Sequence, residues 1–188
     1  TCSLAAFAFT KLQFPGRDKI FVAYLATMMV PWHAIMIPQF IVVKAFGMYN
    51  THLSLIVLQA FSAFGVFLLR QNMLSIPNSL HEAAKIDGCS TFGIYRRIIL
   101  PLSQNGLATL TVLTFNSVWN DYMGPMIYLD SDRLKTIQLG LASFQQQFSA
   151  DYGAIMAGTV CSVIPIIIVY CIGQKYIVEG VAFAGVKG

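Results

Sequence analysis

The chain has 188 residues, of which 56% are hydrophobic and only 11% charged, with a mean hydropathy of +0.66. An average soluble domain carries about 25% charged residues, so the composition is that of an all-α polytopic membrane protein and not of a single soluble core. The net charge of +4 comes from basic residues dispersed between apolar runs, which excludes a nucleic-acid binder.

The first apolar run, CSLAAFAF, is eight residues long. As a helix it covers about 12 Å, against about 30 Å of hydrocarbon. It lacks the basic leader and cleavage pattern of a signal peptide. It reads as the end of a preceding span, and the chain as incomplete at its N-terminus. A Pro-Gly turn with Lys11, Arg17 and Lys19 follows, and then an uncharged run from Ile20 to Val43. That run is long enough to span. Pro31 and Pro38 inside it predict kinks, which a membrane bundle tolerates because neighbouring helices can satisfy the freed carbonyls.

A second span is predicted over Leu53–Leu69, a third over Leu102–Trp119 and a fourth over Ala154–Tyr176. Between the third and fourth lie the acids Asp121, Asp130, Asp132 and Asp151, and the Gln-rich stretch ASFQQQFSADYG. The expected architecture is four full spans plus the end of an earlier one. Orientation follows from the Lys/Arg asymmetry of the loops. Lys11, Arg17, Lys19, Arg70, Lys85, Arg96, Arg97, Lys175 and Lys187 fall on one side, and Lys44, Arg133 and Lys135 on the other. The side with nine of the twelve basic residues is assigned to the cytoplasm.

The segment between the second and third spans, about residues 77–101, concentrates the charge that the rest of the chain avoids. Pro77 ends what precedes it. Ser79 and Glu82 have the S-x-x-E spacing of a capping box, which predicts a helix starting at Leu80. Gly88 suits the residue just past a helix end. Ser90 or Thr91 can cap a second short helix, and Pro101 marks the start of the next one. The expectation is two short helices bent at Gly88, with Ala83 and Ala84 leaving one surface flat enough for another backbone to approach.

Polar residues within spans are functional candidates, because they must find partners away from lipid. Gln59 and Ser62 lie in the second span. Asn105, Thr109, Thr111, Thr114, Asn116 and Asn120 lie in the third or at its end. Asn105, Thr109 and Asn116 share roughly one helical face. Gln59, Asn105, Thr109, Asn116 and Asn120 either line a translocation path or hydrogen-bond between helices. His33 reads as a packed or interfacial histidine, and Trp119 and Tyr122 as interfacial aromatics. The cysteines 2, 89, 161 and 171 show no C-x-x-C spacing and read as small apolar fillers. No catalytic residue and no metal ligand set is identified. The chain has no H-E-x-x-H, G-x-S-x-G or G-x-x-x-x-G-K-[ST].

The run Glu82-Ala83-Ala84, with Asp87-Gly88, Ile98 and Leu100-Pro101 at their spacings, resembles the EAA signature of inner-membrane permease subunits of ABC importers, the MetI-like family. FAFTKLQFPGRDK, SIPNSLHEAAKIDG, VWNDYMGP, IMAGTVCSVIPIII and VEGVAFAGVKG resemble the carbohydrate branch, the maltose-type G subunit. The likeness covers essentially the whole chain, 1–188. Cys89 stands where alanine is commoner.

The resemblance implies a bacterial inner-membrane, multi-pass pore subunit with its EAA segment and C-terminus in the cytoplasm. It implies three protein partners: a cytosolic ATPase dimer, a second permease subunit and an external solute-binding protein. The chain itself would bind no cofactor, since ATP is used by the ATPase. Glu82 would face basic groups of that ATPase, Ala83 and Ala84 would permit close approach, Gly88 would set the bend, and the tail AGVKG would touch the ATPase pair. The expected solute is a sugar or oligosaccharide. The alternatives are a permease for another solute and an ion-coupled secondary transporter. The second of these would be expected to carry acids within its spans, and the four full spans contain no Asp or Glu.

Overall fold

The computed structural model describes the backbone of residues 1–144 and 151–185. Helices α1 to α5 are Cys2–Lys11, Arg17–Ala26, Trp32–Ala45, His52–Gln59 and Ala63–Leu74. The segment that bears the motif holds α6 (Asn78–Ile86), α7 (Thr91–Ile94), a π-helical turn (Tyr95–Ile99) and α8 (Leu100–Leu102). Then come α9 (Gln104–Trp119), α10 (Met123–Tyr128), α11 (Ile137–Ala142) and α12 (Tyr152–Gly185).

Among the described residues, one helix is long and apolar enough to cross a membrane by itself, the Tyr152–Tyr176 part of α12, with a mean hydropathy of 2.4. Counting each interrupted helix pair as one span gives four. The interruptions correct the simple spans expected from the sequence, and each has a local cause. Between Ile20 and Val43 the helix gives way to a 3-10 turn over Thr27–Met29 and stops at Val30. Pro31 pushes the residue before it out of the helical region, and Val30 has ψ 115. Pro38 is held inside α3. Within Leu53–Leu69 the chain breaks at residues 60–62. It restarts where the Ser62 hydroxyl accepts a hydrogen bond from the Gly65 amide at 3.1 Å. The third span begins at Gln104, because Ser103 ends the preceding helix and the axis turns by 75°.

The described chain forms two contact units. In the first (residues 1–31, 60–111 and 175–188), α1 packs along α5. Phe7, Val66, Leu69, Met73, Ile76, Ala84, Ile94, Tyr95 and Ile99 form its buried core. Gly65 makes the close approach possible. A Cβ there would lie 2.9 Å from Cys2 Sγ and 3.3 Å from Leu110 Cδ1. Arg70 lies over the Phe21 ring at 4.2 Å.

In the second unit (residues 32–59 and 112–174), Asn50 holds the turn. Its φ is +56, a region that asparagine tolerates. Its Oδ1 accepts from the amides of Asp130 (3.0 Å) and Ser131 (2.9 Å). Trp119 stacks on Phe115 and donates to the Ser162 carbonyl at 2.9 Å, so its indole is engaged inside the protein. All four cysteines are unpaired.

Gly65→Val should therefore force α1 and α9 away from α5. Overpacking of this kind costs about 1–3 kcal/mol. A lowered melting temperature of the detergent-solubilised protein is the expected result.

Candidate functional site

Helix α6 begins at Asn78, two residues before the predicted start. Pro77 takes the capping position with extended backbone (φ −56, ψ 136) and no side-chain cap. The expected capping box is therefore not formed. Ser79 already lies in the first helical turn, where it cannot act as the residue that leads into the helix. The Glu82 carboxylate makes no hydrogen bond or ion pair among the described residues and stands exposed.

The other end of α6 matches the sequence reading. Gly88 has φ +78. Its amide reaches the Lys85 carbonyl at 3.1 Å, and the Cys89 amide reaches that of Ala84 at 3.0 Å. These two bonds make a Schellman motif. The left-handed residue costs glycine little and other residues roughly 1–2 kcal/mol. Ser90 then caps α7 through the Gly93 amide at 3.1 Å.

Helix α6 is amphipathic at helical spacing. Ala84 is buried, and His81 is half-buried with its Nδ1 unpartnered among the described residues. Glu82, Ala83 and Asp87 are exposed, and Ile86 is 86% exposed. Of the expected pair, only Ala83 contributes to the flat outer surface, because Ala84 points into the core. Downstream, Ile98 and Leu100 pack against the core and Pro101 is exposed. Pro101 lies in the first turn of the short α8, as expected, but the long helix of the span starts only after the break at Ser103. Its ring crowds the carbonyl four residues back, which belongs to Arg97 in the wider π turn. Behind α6 lies a cleft of about 980 Å³ lined by Lys11, Arg17, Asn78, Glu82, Lys85 and Thr91, among others.

The second unit holds a polar cavity of about 370 Å³, lined by Trp32, Gln39, Gln59, Ser117, Asp121 and Tyr128, among others. Gln39 is its hub, with Oε1 accepting from Trp32 Nε1 and from the Tyr128 hydroxyl, both at 2.9 Å. Gln59 Nε2 donates to Asp121 Oδ2 at 3.2 Å, and Asp121 Oδ1 accepts from the Gly124 amide at 3.1 Å. His33 is exposed, edge-on to Trp32 at 5.5 Å.

Residues 3–182 match the model of the binding-protein-dependent transport system inner membrane component family. The chain belongs to this family of membrane permeases. It is 37% identical, over 98% of its length and 62% of the relative's, to the probable ABC transporter permease protein YurM of Bacillus subtilis. To the arabinooligosaccharides transport system permease protein AraQ of Halalkalibacterium halodurans it is 32% identical, over 99% and 67%. The fold is also that of a chain in the crystal structure of a bacterial ABC transporter involved in the import of the acidic polysaccharide alginate. The TM-score is 0.81 and the identity 30%, over 94% of this chain and 69% of that one. The chain thus spans 62% and 67% of the length of the two sequence relatives.

In this permease Glu82, Ala83, Lys85, Ile86, Asp87 and Gly88 are exposed, while Ala84 between them is buried. The five path candidates divide between the units, Asn105 and Thr109 in the first and Gln59, Asn116 and Asn120 in the second. In the first unit, the Thr109 hydroxyl reaches the Asn105 carbonyl of its own helix at 2.9 Å and the Tyr176 carbonyl of α12 at 3.4 Å. In the second, Asn120 Nδ2 donates to the Asn116 carbonyl and side chain at 2.8 and 3.1 Å, and only Gln59 lines the polar cavity. Sequence reasoning missed Gln39, although an amide in an uncharged run was a signal of the same kind as Gln59. It also missed Trp32, seven residues from Gln39, and Tyr128, which lies 89 residues away from it in sequence. The stretch 145–150 and the side chains of the tail lie outside the described residues.

Gln39→Leu should strand both the Trp32 and the Tyr128 donor. An unsatisfied buried donor costs about 1–3 kcal/mol, so a lower melting temperature and altered tryptophan emission are expected.

Proposed function

We propose that the chain is the membrane-spanning pore subunit of an ATP-driven importer for a sugar or oligosaccharide. Its partners are a cytosolic ATPase dimer, a second permease subunit and an external solute-binding protein. It has no catalytic role itself, and ATP is bound and hydrolysed by the ATPase. Residues 77–101 dock on that ATPase from the cytoplasmic side, where the nine-to-three split of basic residues puts them.

One observation carries this reading: the outer face of α6. A short helix closed at its end by a Schellman motif presents Glu82, Ala83, Asp87 and an almost fully exposed Ile86. An isoleucine left that bare on an otherwise charged helix has the character of a docking anchor. Glu82, with no partner among the described residues, is the charge a basic surface would meet. The sugar class is supported by the arabinooligosaccharide system in which the AraQ relative is named. It is also supported by the aromatic and amide lining of the 370 Å³ cavity, a size within the range of small-molecule sites. Gln59, Asn116 and Asn120, with Asn105 and Thr109, remain the candidates for contact with the solute.

Two substitutions test the coupling role in vesicles reconstituted with the full-length permease and its partners, using a panel of labelled saccharides. Gly88→Val should cost about 1–2 kcal/mol at the helix end, misdirect α6 and abolish ATP-dependent uptake. Normal uptake by this variant would remove Gly88 from the mechanism. Glu82→Lys should reduce co-purification of the ATPase at low salt. Retained co-purification with wild-type uptake would count against the docking surface.

A further inference from the structure

Lys11, the last residue of α1, is only 9% exposed. Its ammonium donates to the Ile76 carbonyl at 2.7 Å and to Asn78 Oδ1 at 2.8 Å. The ion pairs among the described residues are Arg17–Asp18 and Lys135–Asp132, so Lys11 has no carboxylate partner there. Taking an ammonium out of water costs several kcal/mol unless hydrogen bonds replace its hydration. A lysine at a membrane boundary ordinarily has a cheaper position, with its head extended to the lipid headgroups. Here the side chain turns inward instead, so the two acceptors define its role.

What it holds is the joint between α5 and α6. Only residues 75–77 separate the two helices. The Ile76 side chain is in the core at 7% exposure, and the Pro77 ring fixes its own φ. Lys11 takes the remaining free groups, the joint's carbonyl and the first side chain of α6. Two more residues of α1 reach the same segment. The Phe7 ring lies 6.3 Å from that of His81 on α6 and 5.3 Å from that of Tyr95 in the π turn. Ser3 Oγ shares a hydrogen bond with the Tyr95 hydroxyl at 2.8 Å. Ser3, Phe7 and Lys11 are spaced four apart, on one face of α1.

We propose that this face of α1 is the element that receives the motion of the coupling segment, and that Lys11 is the positioning residue that latches the two together. With the latch closed, α6 cannot shift without moving α1, although Lys11 and Asn78 are 67 residues apart in sequence. The proposal rests on the importer reading and assigns the first receiver of the push inside the permease.

The test is the ratio of solute transported to ATP hydrolysed, in vesicles with the complete complex. Lys11→Met removes the charge and both donors at similar length, and Lys11→Arg restores them. The Met variant should assemble with the ATPase and hydrolyse ATP, with the ratio lowered about ten-fold, within the usual span of a coupling free energy. The Arg variant should recover most of it. A wild-type ratio in the Met variant overturns the proposal. Should the Met variant fail to assemble, Tyr95→Phe removes only the hydroxyl bonded to Ser3 and keeps the ring. An unchanged ratio there overturns it too. If the wild-type complex takes up no saccharide, the substrate class is wrong. The latch is then read from stimulation of ATP hydrolysis by the binding protein, which Lys11→Met should abolish and Lys11→Arg retain. Stimulation that persists in the Met variant overturns it.

Discussion

Backbone polar groups in lipid have no water to turn to, and this chain breaks its helices three times within the stretches that span. The design depends on how those breaks are satisfied. At Val30 the amide closes on the Thr27 carbonyl at 3.2 Å before Pro31, which has no donor to strand. At residues 60–62 the Ser62 hydroxyl accepts the amide that the new helix leaves open. At Ser103 the amide and the hydroxyl both return to the Ile99 carbonyl, at 3.0 and 2.8 Å. Serine and proline thus do at these breaks what loop water does elsewhere.

The segment 77–101 is built differently. Its polar groups are committed to a few fixed geometries: a Schellman motif at Gly88, a serine cap at Ser90, and a lysine at the joint before α6. Its inner face is apolar and merges with the core through Ala84, Ile94, Tyr95 and Ile99. Its outer face keeps Glu82, Asp87 and Ile86 uncommitted. Burying one side of α6 while baring the other leaves its outer face fixed in place yet unsatisfied, which is the pre-organisation that the proposed docking requires.

Much of this was legible in the sequence because it rests on local chemistry. Gly88, Ser90 and the apolar runs act through their own turn or through composition, and both can be read one residue type at a time. The EAA spacing added the family. The parts that were not legible depend on the third dimension. The S-x-x-E pattern looked like a cap, but Pro77 already supplies the extended backbone, so the pattern fell two residues too late. Ala83 and Ala84 looked equivalent, and one residue of helical phase separates the surface from the core. Lys11 looked like one more cytoplasmic cation, because its acceptors lie 65 and 67 residues away. The spans looked continuous because hydropathy averages over a window and does not register a hydroxyl that ends a helix.

The π turn at Tyr95–Ile99 has a consequence for how the family's sequences can change. In a regular helix Ile94 and Ile99, five residues apart, would differ by about 140° in facing. The wider turn brings both onto the buried side, at 2% and 0% exposure. The turn thus takes up one residue more than regular winding would need to keep the two on the same side. Removing one residue inside it would restore ordinary winding and leave Ile94 and Ile99 four apart, about 40° in facing, so both would stay on the buried side. A single-residue deletion can be absorbed here, whereas in a regular helix it would turn everything that follows by about 100°.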